Sequence, residues 1–125
     1  MTPKEIFDKL RSLCKGTVAE SAFEDAFPFA YMEGEYEKGG VKMTHITTGD
    51  SRSQHVIVVV ASDGNVNAKS CYIGNYGGYY CWLAEDGLIH EKVGYGFGSW
   101  GEFVYDEHLR QLSQKSTRDY GSCCD

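Results

Sequence analysis

The chain has 125 residues, 42% of them hydrophobic and 24% charged, with two prolines. That is the composition of one folded domain large enough to bury a core. No apolar run approaches the roughly 20 residues of a membrane-spanning helix, and the charged start MTPKEIFDKLRSLCKG has no apolar signal core. The expectation is a cytoplasmic protein, with no membrane partner, whose five cysteines are reduced thiols, not a disulfide framework. The net charge of −6 is concentrated in one place. Between Gly16 and Glu37 stand Glu20, Glu24, Asp25, Glu33, Glu35 and Glu37 with no Lys or Arg, and the rest of the chain carries twelve acids and twelve bases.

In chain order, Thr2-Pro3-Lys4-Glu5 is a capping box with proline at the first helical position. Ile6, Leu10, Leu13 and Cys14 come next at helical spacing, and Gly16 closes the helix. A second capping box, Thr17 to Glu20, predicts a shorter helix through Ala22, Phe23 and Ala26 that Pro28 ends. The pattern then changes to strands near 29–36, 41–48, 54–61, 66–73, 79–84 and 88–95. They are joined by the turns EKGG, TGDSRS, SDGN, GNYGG and EDG. Such short connections predict an antiparallel meander. Val56 to Val60 are apolar on both faces, which places that strand inside a sheet with something covering each side. Six short strands also have the option of curling into two packed layers.

A third capping box at Ser99 and Glu102, with Tyr105, Leu109 and Leu112 recurring behind it, predicts a closing helix from about Trp100 to Ser113. The expected class is therefore α+β: two N-terminal helices, a strongly bent antiparallel meander of five or six strands, and one C-terminal helix. The domain is expected to span 1–114, with 115–125 a mobile tail that includes Cys123 and Cys124. Three modest helices do not cover both faces of six strands, which leaves a homodimer through the open face as an expectation.

Gly96, Gly98 and Gly101 form a G-x-G-x-x-G inside VGYGFGSWGEF. A dinucleotide site needs a parallel βαβ unit around that motif. Here the preceding strands read as a meander, Ser99 already occupies the cap position, and no Lys or Arg lies between Val93 and Leu109. The motif reads as a glycine-rich bend. Around it Tyr72, Tyr76, Tyr79, Tyr80, Trp82, Tyr95, Phe97 and Trp100 suit cross-strand pairing. Where exposed, they suit a protein or small-ligand surface, because a nucleic-acid platform needs a positive groove. The ligand candidates are Tyr80, Trp82, Tyr95, Gly96, Gly98, Ser99 and Trp100.

If GNYGG closes a five-residue hairpin, Cys71 faces Cys81; the alternative register pairs Cys71 with Trp82. His45 and His55 sit at odd positions around a turn, a placement that allows a His pair or a thiol–imidazole pair with a cysteine one strand over. Neither spacing demands a metal, a cofactor or a catalytic group. Glu33, Glu35 and Glu37 alternate along one strand and so share a face. Together with Glu20, Glu24 and Asp25 they are the candidate partner-binding residues. The leading expectation is a small acidic, non-enzymatic protein that blocks a basic protein surface, such as that of a nucleic-acid-handling enzyme. Inhibitors, immunity proteins and phage anti-defence proteins work this way, by steering a basic partner and repelling nucleic acid. The alternatives are a dimeric secretion or assembly chaperone, and a nucleotide or small-ligand binder or Cys/His enzyme built on the bend at 94–101.

Overall fold

The structure, a computed structural model, describes residues 2–23, 31–48, 53–74, 77–96 and 98–118. Among these residues are one α-helix, α1 (Pro3–Cys14), a 3-10 turn at Glu20–Phe23, and eight strands. These are β1 (Tyr31–Lys38), β2 (Val41–Thr47), β3 (Ser53–Val60), β4 (Val66–Ile73), β5 (Gly78–Leu83), β6 (Ile89–Gly96), β7 (Ser99–Tyr105) and β8 (Gln111–Arg118). They form two four-stranded antiparallel meanders, β1-β2-β3-β4 and β5-β6-β7-β8. The protein is mostly β, and the expected α+β class with helices at both ends does not hold.

α1 is capped as its sequence dictates, with the Thr2 hydroxyl accepting from the Glu5 N–H at 3.2 Å. Its apolar face sets Phe7, Leu10 and Cys14 against Ile46, Val56 and Val58 of the first sheet, with Ala19 and Phe23 completing the cluster. Full burial of each large side chain there contributes about 1.5–3 kcal/mol. The second capping box forms only a local device. The Glu20 carboxylate accepts from the Gly16 N–H at 2.8 Å and the Thr17 hydroxyl from the Ala19 N–H at 3.1 Å. The chain then makes only the 3-10 turn ending at Phe23; the remainder of the expected helix, 24–27, lies outside the described residues.

The opposite face of the first sheet presents Val41, Met43, Ile57 and Val59 to Cys81, Ile89 and Tyr105 of the second, making the apolar half of the inter-sheet core. The layers are thus helix, sheet, sheet. β3 is interior to its sheet and buried on both faces, as its Val56–Val60 run requires. Polar bridges between turns hold the sheets together at one end: Lys38 to Glu85 at 2.5 Å, Ser62 to Glu107 at 2.7 Å and His108 to Asp63 at 2.8 Å.

The expected C-terminal helix is instead the β7–β8 hairpin. Gly101, Phe103 and Tyr105 alternate with Trp100, Glu102 and Val104, a period of two across the sheet. The turn contains no glycine. The Asp106 carboxylate accepts from the His108 and Arg110 N–H groups, and Leu109 takes φ 58°. β8 extends past position 114 to Arg118, pairing along β7 as an edge strand.

Candidate functional site

The outer face of the second sheet carries the first candidate site. Tyr80 and Trp82 of β5 stand beside Lys92 and His90 of β6, and β7 adds Trp100 opposite Gly94. Trp82 stacks on His90 with ring centroids 5.4 Å apart. Tyr80 and Trp100 stack at 6.2 Å, and the Lys92 ammonium sits 4.8 Å above the Trp100 ring. The Trp100 ring lies over two glycines: a Cβ at Gly94 would come within 2.8 Å of it, and one at Gly78 within 3.4 Å. These glycines are flat ground for an indole, which is why an aromatic-rich sheet needs them. α1 and the 3-10 turn, the helical elements among the described residues, pack on the first sheet. Tyr80 stays 58% and Trp82 39% exposed. Beside them Trp82, His90, Lys92, Glu102, Val104 and Lys115 line a shallow depression of about 250 Å³.

Of the residues expected to bind a ligand, Tyr80, Trp82 and Trp100 come together here. The others do not join them. Tyr95 sits at a β6 irregularity with its hydroxyl over Gly101, on the side of Phe103. Gly96 and Gly98 take φ 90° and 78° at the β6–β7 reversal, and Ser99 begins β7. The G-x-G-x-x-G segment is a hairpin bend with no helix behind it, while Phe97 lies outside the described residues.

Between the sheets lies a second, buried grouping. The Glu91 carboxylate, 2% exposed, accepts from Lys69 Nζ at 2.7 and 2.8 Å, from the Tyr79 hydroxyl at 2.5 Å and from the Tyr105 hydroxyl at 2.7 Å. Every lone-pair direction has a donor, as burial of a charge demands. Burial, joined by Glu91 beside them, raises both phenols well above their ordinary range. Next to this cluster His45 Nε2 meets His55 Nδ1 at 2.9 Å, His55 Nε2 meets Ser53 Oγ at 2.6 Å, and the Tyr79 ring stacks on His55. Burial lowers both imidazoles to about 4. The His pair permitted by strand parity is formed, and Cys71 is the direct ladder partner of His55.

Cys71 does not face Cys81 or Trp82. β4 and β5 belong to different sheets and do not pair as a hairpin. Cys81 pairs with Glu91. Cys123 and Cys124 lie outside the described residues. Asp63, Glu107 and His108 place three donor atoms within 4.8 Å of one another, the one such metal-capable grouping among the described residues. Those donors are engaged in the turn-to-turn bridges already described.

The described acidic candidates do not all lie together. Glu20 belongs to the turn that packs on β4, whereas Glu35 and Glu37 are exposed on β1, the opposite edge of the first sheet. Glu35 is paired with Lys42 at 2.8 Å, which holds its carboxyl below the usual range. Glu33 lies at the β1 irregularity between Met32 and Gly34, and Glu24 and Asp25 are outside the described residues.

No protein-family model, curated protein or solved structure matches this chain. No described helix is long and apolar enough to cross a membrane.

Proposed function

We propose that the protein works by binding a partner protein through the outer face of the second sheet. The observation that carries this reading is the cluster of Tyr80, Trp82 and Trp100, interleaved with Lys92 and His90, on a face over which no described helix packs. Trp and Tyr bury much area at low entropic cost and dominate binding energy at interfaces. The Lys92 ammonium over Trp100 adds a charge that a partner's carboxylate satisfies. The sheet is held from behind by the Glu91 cluster and the apolar half of the core, so the rings sit on a platform that moves little on binding.

A second reading keeps the acidic edge. Glu35 and Glu37 are exposed on edge strand β1, where negative charge also discourages sheet-to-sheet pairing. A basic partner surface would complement them, and the Lys42 pair reduces that field.

One experiment separates the two. Affinity capture is run with the native chain, with Tyr80→Ala/Trp82→Ala, and with Glu35→Lys/Glu37→Lys, each checked for an unchanged melting profile. A protein retained by the native chain and by the charge-reversed variant, and lost with the aromatic variant, is the expected result. Loss with the charge-reversed variant alone assigns binding to the edge and overturns the first reading.

A further inference from the structure

Ser53, His55 and His45 are buried between the sheets, away from the aromatic face, and form one hydrogen-bonded row. Ser53 opens β3 and His55 stands two residues later on the same face, so both side chains point between the sheets. His45 arrives from β2, two pairs along the ladder from the His55–Thr47 match. The contacts are His55 Nε2 to Ser53 Oγ at 2.6 Å and His55 Nδ1 to His45 Nε2 at 2.9 Å; in the tautomer that the chemistry requires, the Ser53 hydroxyl donates to His55 Nε2 and His55 Nδ1–H donates to His45 Nε2. A hydroxyl, a base within reach of it and a third group that fixes the base are the parts of a nucleophilic centre. We propose that Ser53, with His55 as general base and His45 positioning it, is an acyl-transfer centre for small activated acyl esters.

In the step proposed, Ser53 Oγ forms a bond to the acyl carbon and its proton passes to His55 Nε2. The bond to the leaving alcohol breaks, and that oxygen takes the proton from His55. Water then attacks the acyl-serine, giving its proton to His55, which returns it to Ser53 Oγ as the acid departs. No oxidant, metal or further reactant enters the balance.

The surroundings suit this chemistry. Burial keeps both imidazoles neutral at pH 7, which leaves the His55 lone pair unprotonated and makes it a weaker base than an exposed imidazole. The Tyr79 ring, 4.5 Å from His55, fixes the plane of the base. The neighbouring thiol of Cys71 is raised by burial and then by Glu91, which leaves it protonated and makes the serine the nucleophile. The charged groups facing the pair, Glu91 and Lys69, neutralise each other. Ser53 lies where β3 begins and β4 ends, at the opposite end of the sandwich from the turn-to-turn bridges.

The test uses a fluorophosphonate probe and p-nitrophenyl acetate on the whole chain. The expected result is one covalent adduct, mapped by mass spectrometry to Ser53, forming far faster than on any other serine, and acetate release beyond one turnover. His55→Gln lowers the labelling rate by about 100-fold or more. His45→Gln, which retains an acceptor for His55 Nδ1–H, keeps most of the rate, and His45→Leu loses it. A merely packing role for His45 would favour leucine. Absence of an adduct at Ser53 in the native protein, or labelling there no faster than at other serines, overturns the proposal without recourse to any variant.

Discussion

At the residue scale, the buried polar groups control stability. Glu91 has its charge balanced by Lys69 and its remaining lone pairs held by Tyr79 and Tyr105. Lys69→Met leaves that carboxylate buried without a counter-charge. Loss of one partner of such a pair costs about 3 kcal/mol, read as a lowered urea midpoint; a change below about 0.5 kcal/mol, the scale of ordinary surface substitutions, would contradict the description of Glu91. The histidine pair gives a pH dependence of fixed sign. Both imidazoles titrate near 4 when folded and near 6.5 when free, so the unfolded chain binds more protons between those values. Their contribution is complete above about pH 6.5 and is lost as pH falls toward 4, at up to ~1.4 kcal/mol per pH unit per group. The two titrate as a coupled pair. Melting temperature measured from pH 7 to pH 4 is expected to fall, and the fall is expected to be shallower in His45→Leu.

At the element scale, glycine positions decide how the chain changes layers and how flat the outer face of the second sheet is. Gly77 sits where the chain passes from β4 to β5, and a Cβ there would lie 2.5 Å from the Gly94 carbonyl oxygen and 2.6 Å from Ile73. Gly77→Ala forces backbone apart and is expected to destabilise by about 1–3 kcal/mol. Gly94→Ala acts chiefly on a side chain, since its Cβ meets the Trp100 ring at 2.8 Å and the Gly78 nitrogen only at 3.0 Å. It displaces an indole from the outer face and is expected to weaken partner capture more than it lowers the melting temperature. Equal capture by Gly94→Ala and native protein would separate Trp100 from the binding surface.

Much of this scale is legible in the chain. α1 and strands β1 to β6 emerge from periodicity and from turns that announce themselves with glycine. β7 and β8 stay hidden for two physical reasons. Ser99 and Glu102 mimic a capping box, and the true reversal at Asp106–Arg110 uses an aspartate to bind two N–H groups, with Leu109 in the left-handed region. β8 gives no apolar alternation because it is an exposed edge. The site is half legible. Parity allows the His45–His55 pair, and the aromatic wealth marks Tyr80, Trp82 and Trp100. Ser53 reads as part of a turn. The Lys69–Glu91 pair spans two sheets, and no local pattern encodes which sheets will pack.

At the scale of the whole molecule, the two outer faces differ in kind. The first sheet has its outer side covered by α1, and the two sheets share a core that is apolar toward the bridged turns and polar toward Ser53. The second sheet's outer side carries the exposed rings. The acidic stretch that dominates the net charge does not gather into one patch among the described residues, so the aromatic face is the stronger candidate for recognition. The chain's two tryptophans, Trp82 and Trp100, both lie on that face, which makes intrinsic fluorescence a direct report on it. The measurement to make is acrylamide quenching of the native protein over a range of concentrations, compared with the denatured chain. Ready quenching is expected in the native state, with protection appearing only when a partner is added. Tryptophans that resist quenching in the isolated protein at every concentration would mean that the face is already covered, and that it is not the binding surface.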